Sequence, residues 1–325
     1  MIKSLEVKNF KSIKHLKINC KRINLFIGEP NTGKSNILEA IGLFSLPFGE
    51  LPDLVRLEDI TDLFYDHDPA NEVEVRADGD SYKITAESSS DYISIRMQIQ
   101  GQSFLFSYRH QGEKINTPSL SPSQLGNMRI KFYRFKALRL FDDPYSHFLK
   151  PPDGKNLFTI LYLKKEIRKF IGDMIRAFGF KLVLKPQEKK MELQKEVDDI
   201  AISHPYFLLS DTLQRTIFYI VAIETNKDST LLFEEPESNA FPFYTKELAE
   251  RIADDRSNQY FISTHNPYFL VPLMSKAPKN ELGVFITYFE DYQTKVKPLE
   301  QEDIEEALDL EADIFFNLDR FLGKE

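Results

Sequence analysis

A glycine-bounded segment near the N-terminus has the residue types and the spacing of a phosphate-binding loop. Residues 28–35 read GEPNTGKS and match the pattern G-x-x-x-x-G-K-S/T at every fixed position. Gly28 and Gly33 let the backbone approach a phosphate, Lys34 can reach the β- and γ-phosphates, and the Ser35 hydroxyl can bind Mg²⁺. The segment therefore predicts a site for ATP and Mg²⁺. The other loop and helix residues predicted to contact the nucleotide are Asn31, Thr32 and Asn36.

Two adjacent carboxylates follow an apolar stretch much later in the chain. Residues 230–233 (TLLF) predict a buried strand that ends at Glu234 and Glu235. Placing two carboxylates at the end of a buried strand costs free energy unless a cation lies beside them. In a P-loop fold, the carboxyl edge of the sheet faces the nucleotide. We therefore expect Glu234 to hold the metal through its water shell and Glu235 to orient or deprotonate the attacking water. The alternative is an acidic turn that only closes a strand.

Two further segments could complete the same site. His265 follows the apolar stretch 259–262, so it should lie at the carboxyl end of a strand and could contact the γ-phosphate; a structural histidine is the alternative. Ser210 opens an apolar helix that runs through Ile223, where it could cap the helix or receive a phosphate at the helix N-terminus. The predicted catalytic residues are therefore Lys34, Glu235 and His265.

The hydrophobic pattern indicates the elements that must position these residues. Residues 23–27 are nearly all apolar, as in a strand buried on both faces, and an apolar helix should begin at Ser35. Alternation with period two over residues 72–109 predicts an antiparallel meander attached to the main sheet. Apolar residues at helical spacing over 157–178 predict one amphipathic helix, and residues 301–321 predict two short helices.

Together these elements predict an α/β fold, a P-loop NTPase with a mixed or largely parallel core sheet, an antiparallel β lobe and a helical insert. The predicted core comprises residues 1–45 and 200–325. The β-rich lobe would span residues 46–135, and the helical insert residues 136–199.

Composition narrows the class of protein. The longest apolar run, Ile217–Ile223, is far shorter than the roughly 20 residues that span a bilayer, so no membrane partner is expected. A single cysteine, Cys20, cannot form an internal disulfide, which favours a reducing cytoplasm. The net charge of −8 argues against constitutive nucleic-acid binding as the main task.

The opening segment, IKSLEVKNFKSI at residues 2–13, resembles the start of RecF-like and SMC-like ABC ATPases. The EEPE segment at 234–237 is similar to the Walker B segment of ATPases of the overcoming-lysogenization-defect (OLD) class, and the likeness covers residues 1–45 and 205–270. It implies a head-to-tail homodimer with ATP between the subunits. In that dimer Ser210 would be the signature serine, Glu235 the catalytic glutamate and His265 the switch histidine.

The chain also departs from that family's pattern. Thr212 stands where the signature usually has glycine, and its side chain could obstruct close approach of the backbone. The metal-sensing glutamine has no clear position; the candidates are Gln98, Gln100 and Gln102. The residues after His265 are too few for the TOPRIM nuclease domain of OLD proteins, so any nuclease should be a separate chain.

Two functions follow from these patterns. The first is an ATP-hydrolysing dimer that acts in DNA repair, maintenance or defence, with DNA or a separate effector or nuclease as a partner. The second is a nucleotide-gated binding module for a partner effector, with slow hydrolysis. A transporter subunit is disfavoured because residues 209–213 match its signature poorly, and a small-molecule kinase has no use for the Ser210 and His265 segments.

Overall fold

The computed structural model describes residues 1–86 and 92–323. Residues 87–91, part of the predicted β-rich lobe, and the last two residues of the predicted core lie outside the described residues. In chain order, the strands are β1 (Ser4–Phe10), β2 (Ile13–Asn19), β3 (Ile23–Ile27), β4 (Val73–Ala77), β5 (Asp80–Ala86), β6 (Tyr92–Ile99), β7 (Gln102–Arg109), β8 (Glu113–Asn116), β9 (Ile130–Tyr133), β10 (Lys181–Lys185), β11 (Lys190–Val197), β12 (Ile200–Pro205), β13 (Thr230–Glu234), β14 (Gln259–Ser263), β15 (Leu282–Glu290) and β16 (Gln293–Pro298).

In the second half of the chain, the α-helices alternate with the strands. In chain order, the α-helices are α1 (Lys34–Gly42), α2 (Leu51–Leu54), α3 (Pro122–Asn127), α4 (Leu157–Leu163), α5 (Lys165–Arg176), α6 (Asp211–Thr225), α7 (Pro242–Asp254), α8 (Pro267–Lys276), α9 (Gln301–Asp309) and α10 (Leu318–Leu322). Short 3₁₀ helices lie at Leu43–Phe48, Ile60–Leu63, Tyr65–His67, Tyr206–Leu208, Lys279–Glu281 and Glu311–Phe316.

The core sheet has six strands in the order β16-β15-β3-β14-β13-β9. The five strands from β15 to β9 run parallel to their neighbours, and only β16 is antiparallel. Every residue of β3 and β14 is buried, because helices or a second sheet cover both faces. The predicted mixed, largely parallel sheet is therefore confirmed, and its carboxyl edge holds the ends of β3, β13 and β14.

The predicted antiparallel meander forms a separate seven-stranded sheet, in the order β2-β1-β4-β5-β6-β7-β8. The predicted antiparallel β lobe is therefore confirmed, and it is a sheet of its own that contacts α1 and the core sheet. Ile37 and Ile41 of α1 lie between Phe26 of the core sheet and Val7 and Val75 of the antiparallel sheet, and all five side chains are fully buried.

The predicted helix over 157–178 consists of two helices. Lys164 has an extended backbone between α4 and α5, and Ile171 and Ile175 of α5 are buried whereas Phe178 is half exposed. The predicted helical insert also contains two strands, β10 and β11, which form a three-stranded sheet with β12 from the predicted core. The two short C-terminal helices are confirmed as α9 and α10.

The strands do not follow the predicted division of the chain. β1 and β2, from the predicted core, join the antiparallel sheet, while β9, from the predicted β lobe, lies at the edge of the core sheet. The three-part division itself stays a prediction. Within residues 1–86 and 92–323, none of the helices is both long enough and apolar enough to cross a bilayer.

Candidate nucleotide-binding site

The loop between β3 and α1 has the shape that its glycines allow. Gly28 and Gly33 have φ values of 150° and 94°, which suit glycine. A Cβ atom at Gly33 would lie 2.0 Å from Thr294 Oγ1, and one at Gly28 would lie 2.3 Å from the carbonyl oxygen of Thr287. The loop therefore packs so closely on β15 and β16 that neither position admits a side chain. Asn31, also at positive φ, is exposed at the loop tip.

Lys34 lies folded into this loop. Its Nζ donates hydrogen bonds to the carbonyl oxygens of Gly28 and Glu29, both at 2.7 Å, and the residue is 8% exposed. Burial lowers the pKa of the Lys34 ammonium, while the carboxylates of Glu235 and Glu29 act in the opposite direction. Lys34 thus lies within electrostatic reach of Glu235, directly after β13.

Thr32 and Asn36 hold the loop to its surroundings. Thr32 Oγ1 donates to the carbonyl oxygen of Glu29 at 2.8 Å and lies 2.7 Å from Thr287 Oγ1. Asn36 Nδ2 donates to Ser12 Oγ at 2.7 Å, which joins α1 to the β1–β2 turn. Their predicted contacts with the nucleotide stay predictions.

Glu234 and Glu235 take different directions at the end of β13. Burial raises the pKa of Glu234, but the Arg134 guanidinium and a hydrogen bond from Ser35 outweigh it, so the pKa lies below its usual value. Glu235 has a φ of 42°, a left-handed conformation rare for a long side chain, and its N–H donates to the carbonyl oxygen of Ser263 at 3.0 Å. This turn directs the two carboxylates to different partners.

The Glu235 carboxylate is held at both oxygens. Its Oε1 lies 3.1 Å from Nδ1 of His265, and its Oε2 accepts a hydrogen bond from Ser238 at 3.2 Å. His265 is largely exposed, with 59% of its side chain accessible. The structure therefore brings Lys34, Ser35, Glu234, Glu235 and His265 together at one edge of the core sheet; their roles there stay predictions.

An ionic network that the sequence did not reveal lies behind Glu234. Glu39 of α1 is fully buried, and its carboxylate meets Lys11 Nζ at 2.5 Å, Arg56 Nε at 2.9 Å and Arg134 Nη2 at 3.2 Å. Arg134 Nη2 also lies 2.7 Å from Glu234 Oε2, and Arg56 Nη2 lies 3.3 Å from Glu234 Oε1. Two guanidinium groups thus connect the loop helix to the acid at the end of β13. The available signal was Glu39 itself, a charge within an apolar helix that needs a buried cation.

Ser210 lies apart from this cluster. It is exposed and is the N-cap of α6, accepting a hydrogen bond from the N–H of Leu213 at 3.4 Å. Thr212 Oγ1 donates to the carbonyl oxygen of Asn239 at 2.9 Å, so its hydroxyl is turned toward the segment after β13. Over the described residues, no hydrogen bond joins Ser210 to the phosphate-binding loop.

The three candidate glutamines lie in the β6–β7 hairpin. Gln100, at its tip, donates from Nε2 to the carbonyl oxygen of Asn127 at 2.8 Å and borders a cavity that Asp228 and Ser229 also line. Because these two residues precede β13, Gln100 lies at the end of the core sheet opposite Glu234. At the carboxyl end of β9, next to Glu234, stands Arg134.

The residues at this edge fit a magnesium ion. Ser35 and Glu234 contact each other, and a hydroxyl and a carboxylate are hard oxygen ligands of the kind that Mg²⁺ prefers. Across residues 1–86 and 92–323, no group of three or more histidine, cysteine, aspartate or glutamate side chains could hold a metal ion alone. Mg²⁺ would therefore need phosphate oxygens and water as further ligands, as it does with nucleotides.

Comparison with known proteins agrees with this geometry. Residues 1–202 match the AAA ATPase domain family (AAA_15). An ATP/GTP phosphatase of Helicobacter pylori (strain ATCC 700392 / 26695) is 24% identical over 360 residues, with 93% of each chain covered. An SMC head, crystallised bound to the C-winged helix domain of ScpA, has a similar fold, with a TM-score of 0.55, 16% identity and coverage of 94% of this chain and 99% of that one. The chain therefore belongs to the AAA ATPase domain family and is an ATPase with the fold of an SMC head.

Proposed function

We propose that this ATPase works with Mg²⁺ as a homodimer that encloses ATP between its two copies. One observation carries the proposal. Lys34, Ser35, Glu234 and Glu235 converge at one edge, whereas Ser210, at the start of α6, is exposed, and among the residues that the structure describes its side chain caps that helix alone. A second copy, placed head to tail, would supply its Ser210 to the γ-phosphate held by the first.

The residues of one copy account for most of the chemistry. Lys34, the loop N–H groups and the N-terminus of α1 stabilise the negative charge that develops on the γ-phosphoryl group. Ser35 and Glu234 would hold Mg²⁺, which would supply positive charge beside the phosphates. Glu235 orients the attacking water and accepts its proton, and His265 fixes Glu235 and contacts the γ-phosphate.

Exposed apolar side chains around this edge support a second copy as the partner. Leu208, Phe241, Phe243 and Tyr268 are between 59% and 65% exposed, and each adjoins a segment of the proposed site. Leu208 precedes Ser210, the two phenylalanines follow the Glu235 turn, and Tyr268 follows His265. Apolar side chains grouped near a functional edge are typical of a surface that another protein covers.

The Glu235→Gln protein tests hydrolysis and dimerisation together. The amide cannot accept the proton of water, so ATP should stay bound and the protein should elute as a dimer with ATP and Mg²⁺. With EDTA it should elute as a monomer. Glu302→Gln, at an exposed position on α9, is the matched control and should behave as wild type. Normal turnover by Glu235→Gln would show that another group serves as the base.

Two surface variants test the geometry of the dimer. Ser210→Arg should block closure and abolish the ATP-induced dimer while each copy still binds ATP, whereas Ser275→Arg, near the far end of α8, should not. Phe243→Asp should weaken the dimer at least tenfold, whereas Phe316→Asp, at a side chain that is 88% exposed elsewhere, should leave it unchanged. An unaltered dimer in both site variants would refute this arrangement.

The second candidate is a nucleotide-gated module that binds an effector and hydrolyses ATP slowly. Thr212 in place of the signature glycine favours it, and the SMC head crystallised with a ScpA domain is a precedent for a head that binds another protein. Turnover of ATP and GTP, measured with and without duplex DNA at two salt concentrations, separates the candidates. Fast, DNA-stimulated and salt-sensitive turnover supports a role in DNA repair, maintenance or defence. Slow turnover that DNA leaves unchanged supports the module.

A further inference from the structure

Glu237 is a buried acid beside the nucleotide edge that the mechanism above does not use. It lies in the turn after β13 and is only 2% exposed. Its Oε1 accepts a hydrogen bond from the Thr264 hydroxyl, and the backbone N–H of His265 also donates to its carboxyl group. Its Oε2 is buried and has no hydrogen-bond partner among the residues that the structure describes.

This environment favours the uncharged form of the acid. A buried carboxylate with an unbonded oxygen loses the solvation of a full charge, which costs far more free energy than burial of a neutral carboxyl group. Burial raises the pKa of Glu237 to about 7; the hydrogen bond from Thr264 opposes this rise, and the charge of Glu235 adds to it. Two further titratable residues meet it: the backbone N–H of His265, in the β14–α8 turn, donates to its carboxyl group, and the charge of Glu237 acts on the Tyr219 hydroxyl of α6.

Glu237 joins the two strand ends that carry the predicted catalytic pair. Thr264 is fully buried; its N–H donates to the carbonyl oxygen of Phe26 at 3.1 Å, and its hydroxyl accepts from the N–H of Asn266 at 3.1 Å. The hydroxyl also donates to Glu237, so this bond, together with the one from the His265 N–H, ties the β13 turn to the β14 turn. Glu235 and His265 stand on the two sides of that tie, 3.1 Å apart.

We propose that Glu237, as a neutral acid, is a positioning residue that holds these two turns together and thereby keeps Glu235 facing His265. The inference rests on the proposed hydrolytic role of Glu235. When Glu237 loses its proton, it carries a negative charge near Glu235 and the bound triphosphate. The negative charges of Glu235 and of the triphosphate repel the new charge, and this repulsion separates the two turns. Hydrolysis therefore slows as the pH rises above neutrality.

The pH profile of ATP turnover, read in three proteins, tests this role. In wild type, kcat/KM at pH 8 should be about tenfold below its value at pH 6, because kcat/KM reports the free enzyme and one pH unit above a pKa of about 7 leaves about a tenth of the acid protonated. Glu237→Gln keeps an uncharged acceptor for Thr264, so its decline should be less than about twofold. Glu237→Ala loses the tie and should have a lower kcat than the glutamine variant at pH 6, with little change in KM.

Parallel profiles for wild type and Glu237→Gln would overturn the inference, as would a glutamine variant no more active than the alanine variant. Glu302→Gln, on α9, is the control, because it also removes one carboxylate but lies outside the two turns.

Urea unfolding provides a readout that needs no hydrolysis. Because Glu237 is neutral in the folded state up to about pH 7 but ionises near 4.5 when unfolded, stability present at low pH is lost across that window.

The urea midpoint of wild type should therefore fall relative to that of Glu237→Gln between pH 4.5 and pH 7. A constant difference between the two proteins would contradict the neutral acid. If none of the proteins hydrolyses ATP, the proposed function fails, and the unfolding comparison still decides whether Glu237 is held in its neutral form.

Discussion

Replacing Arg134 by methionine tests the ionic network that links the phosphate-binding loop to the acid of β13. Methionine preserves much of the aliphatic stem but removes the guanidinium group, whose central carbon lies 5.1 Å from the centre of the Phe132 ring. The change removes the group that bridges Glu39 and Glu234. The change in unfolding free energy should therefore arise from the lost charge and its hydrogen bonds rather than from a lost side-chain volume.

The size of the effect follows from burial. Removing one partner of a buried ion pair costs about 3–5 kcal/mol of unfolding free energy. Here Arg134 keeps 21% of its side chain exposed, and the fully buried Glu39 retains Lys11, which is 10% exposed. Arg56 also remains, but it is 62% exposed and contributes little. We therefore expect a loss of about 2 kcal/mol of unfolding free energy, below that range because the buried carboxylate of Glu39 keeps Lys11 as a partner.

Urea unfolding of the nucleotide-free protein, followed by circular dichroism at pH 7, measures this loss. Arg176→Met is the matched control, because its pair with Asp173 is exposed on both sides and should cost less than about 1 kcal/mol. A double-mutant cycle of Arg134→Met with Glu39→Gln isolates their interaction, which should be about 1–3 kcal/mol. Equal losses in the Arg134 and Arg176 variants, or additive effects in the cycle, would refute the reasoning.

Three further outcomes are expected. Lys34→Ala should abolish ATP binding in calorimetry without changing the fold, and retained binding would contradict its phosphate role. Gly33→Ala should lose ATP binding and at least about 1 kcal/mol of stability, because φ is 94° and the new Cβ meets Thr294. Burial lowers the pKa of Lys131 from 10.5 to about 7, so wild type should gain stability relative to Lys131→Met between pH 7 and pH 10. Parallel stability curves would show that Asn226, Ser229 and the Phe148 ring keep this lysine charged.

Local patterns were sufficient to predict the central elements of the site. The apolar run before Gly28 predicts β3, and the apolar positions after Ser35 predict α1, because a strand and a helix leave different periods in the sequence. The acids after residue 233 and the histidine after residue 262 could be placed at one edge because parallel strands end together. Sequence order alone does not show which side chains finally meet there.

What the sequence did not predict depends on contacts between distant residues. β2 was missed because its buried positions, Ile13, Leu16 and Ile18, do not alternate strictly, and its pairing with β1 was needed to define it. Arg134 was missed because nothing near it in sequence indicates that it meets Glu39, 95 residues away. The position of a metal-sensing glutamine could not be predicted for the same reason, and the residue beside Glu234 is an arginine, Arg134.

The position of α1 explains why a β lobe belongs to this nucleotide site. The helix that begins at the phosphate-binding loop is covered by the core sheet on one side and by the antiparallel sheet on the other. Ser12, in the β1–β2 turn, accepts a hydrogen bond from Asn36 and lies 2.7 Å from Thr294, the residue that packs on Gly33. Asn36, Ser12 and Thr294 thus form a continuous set of contacts from α1 and the phosphate-binding loop to the β1–β2 turn. The antiparallel sheet therefore supports the nucleotide site, although none of its strands contributes a predicted catalytic residue.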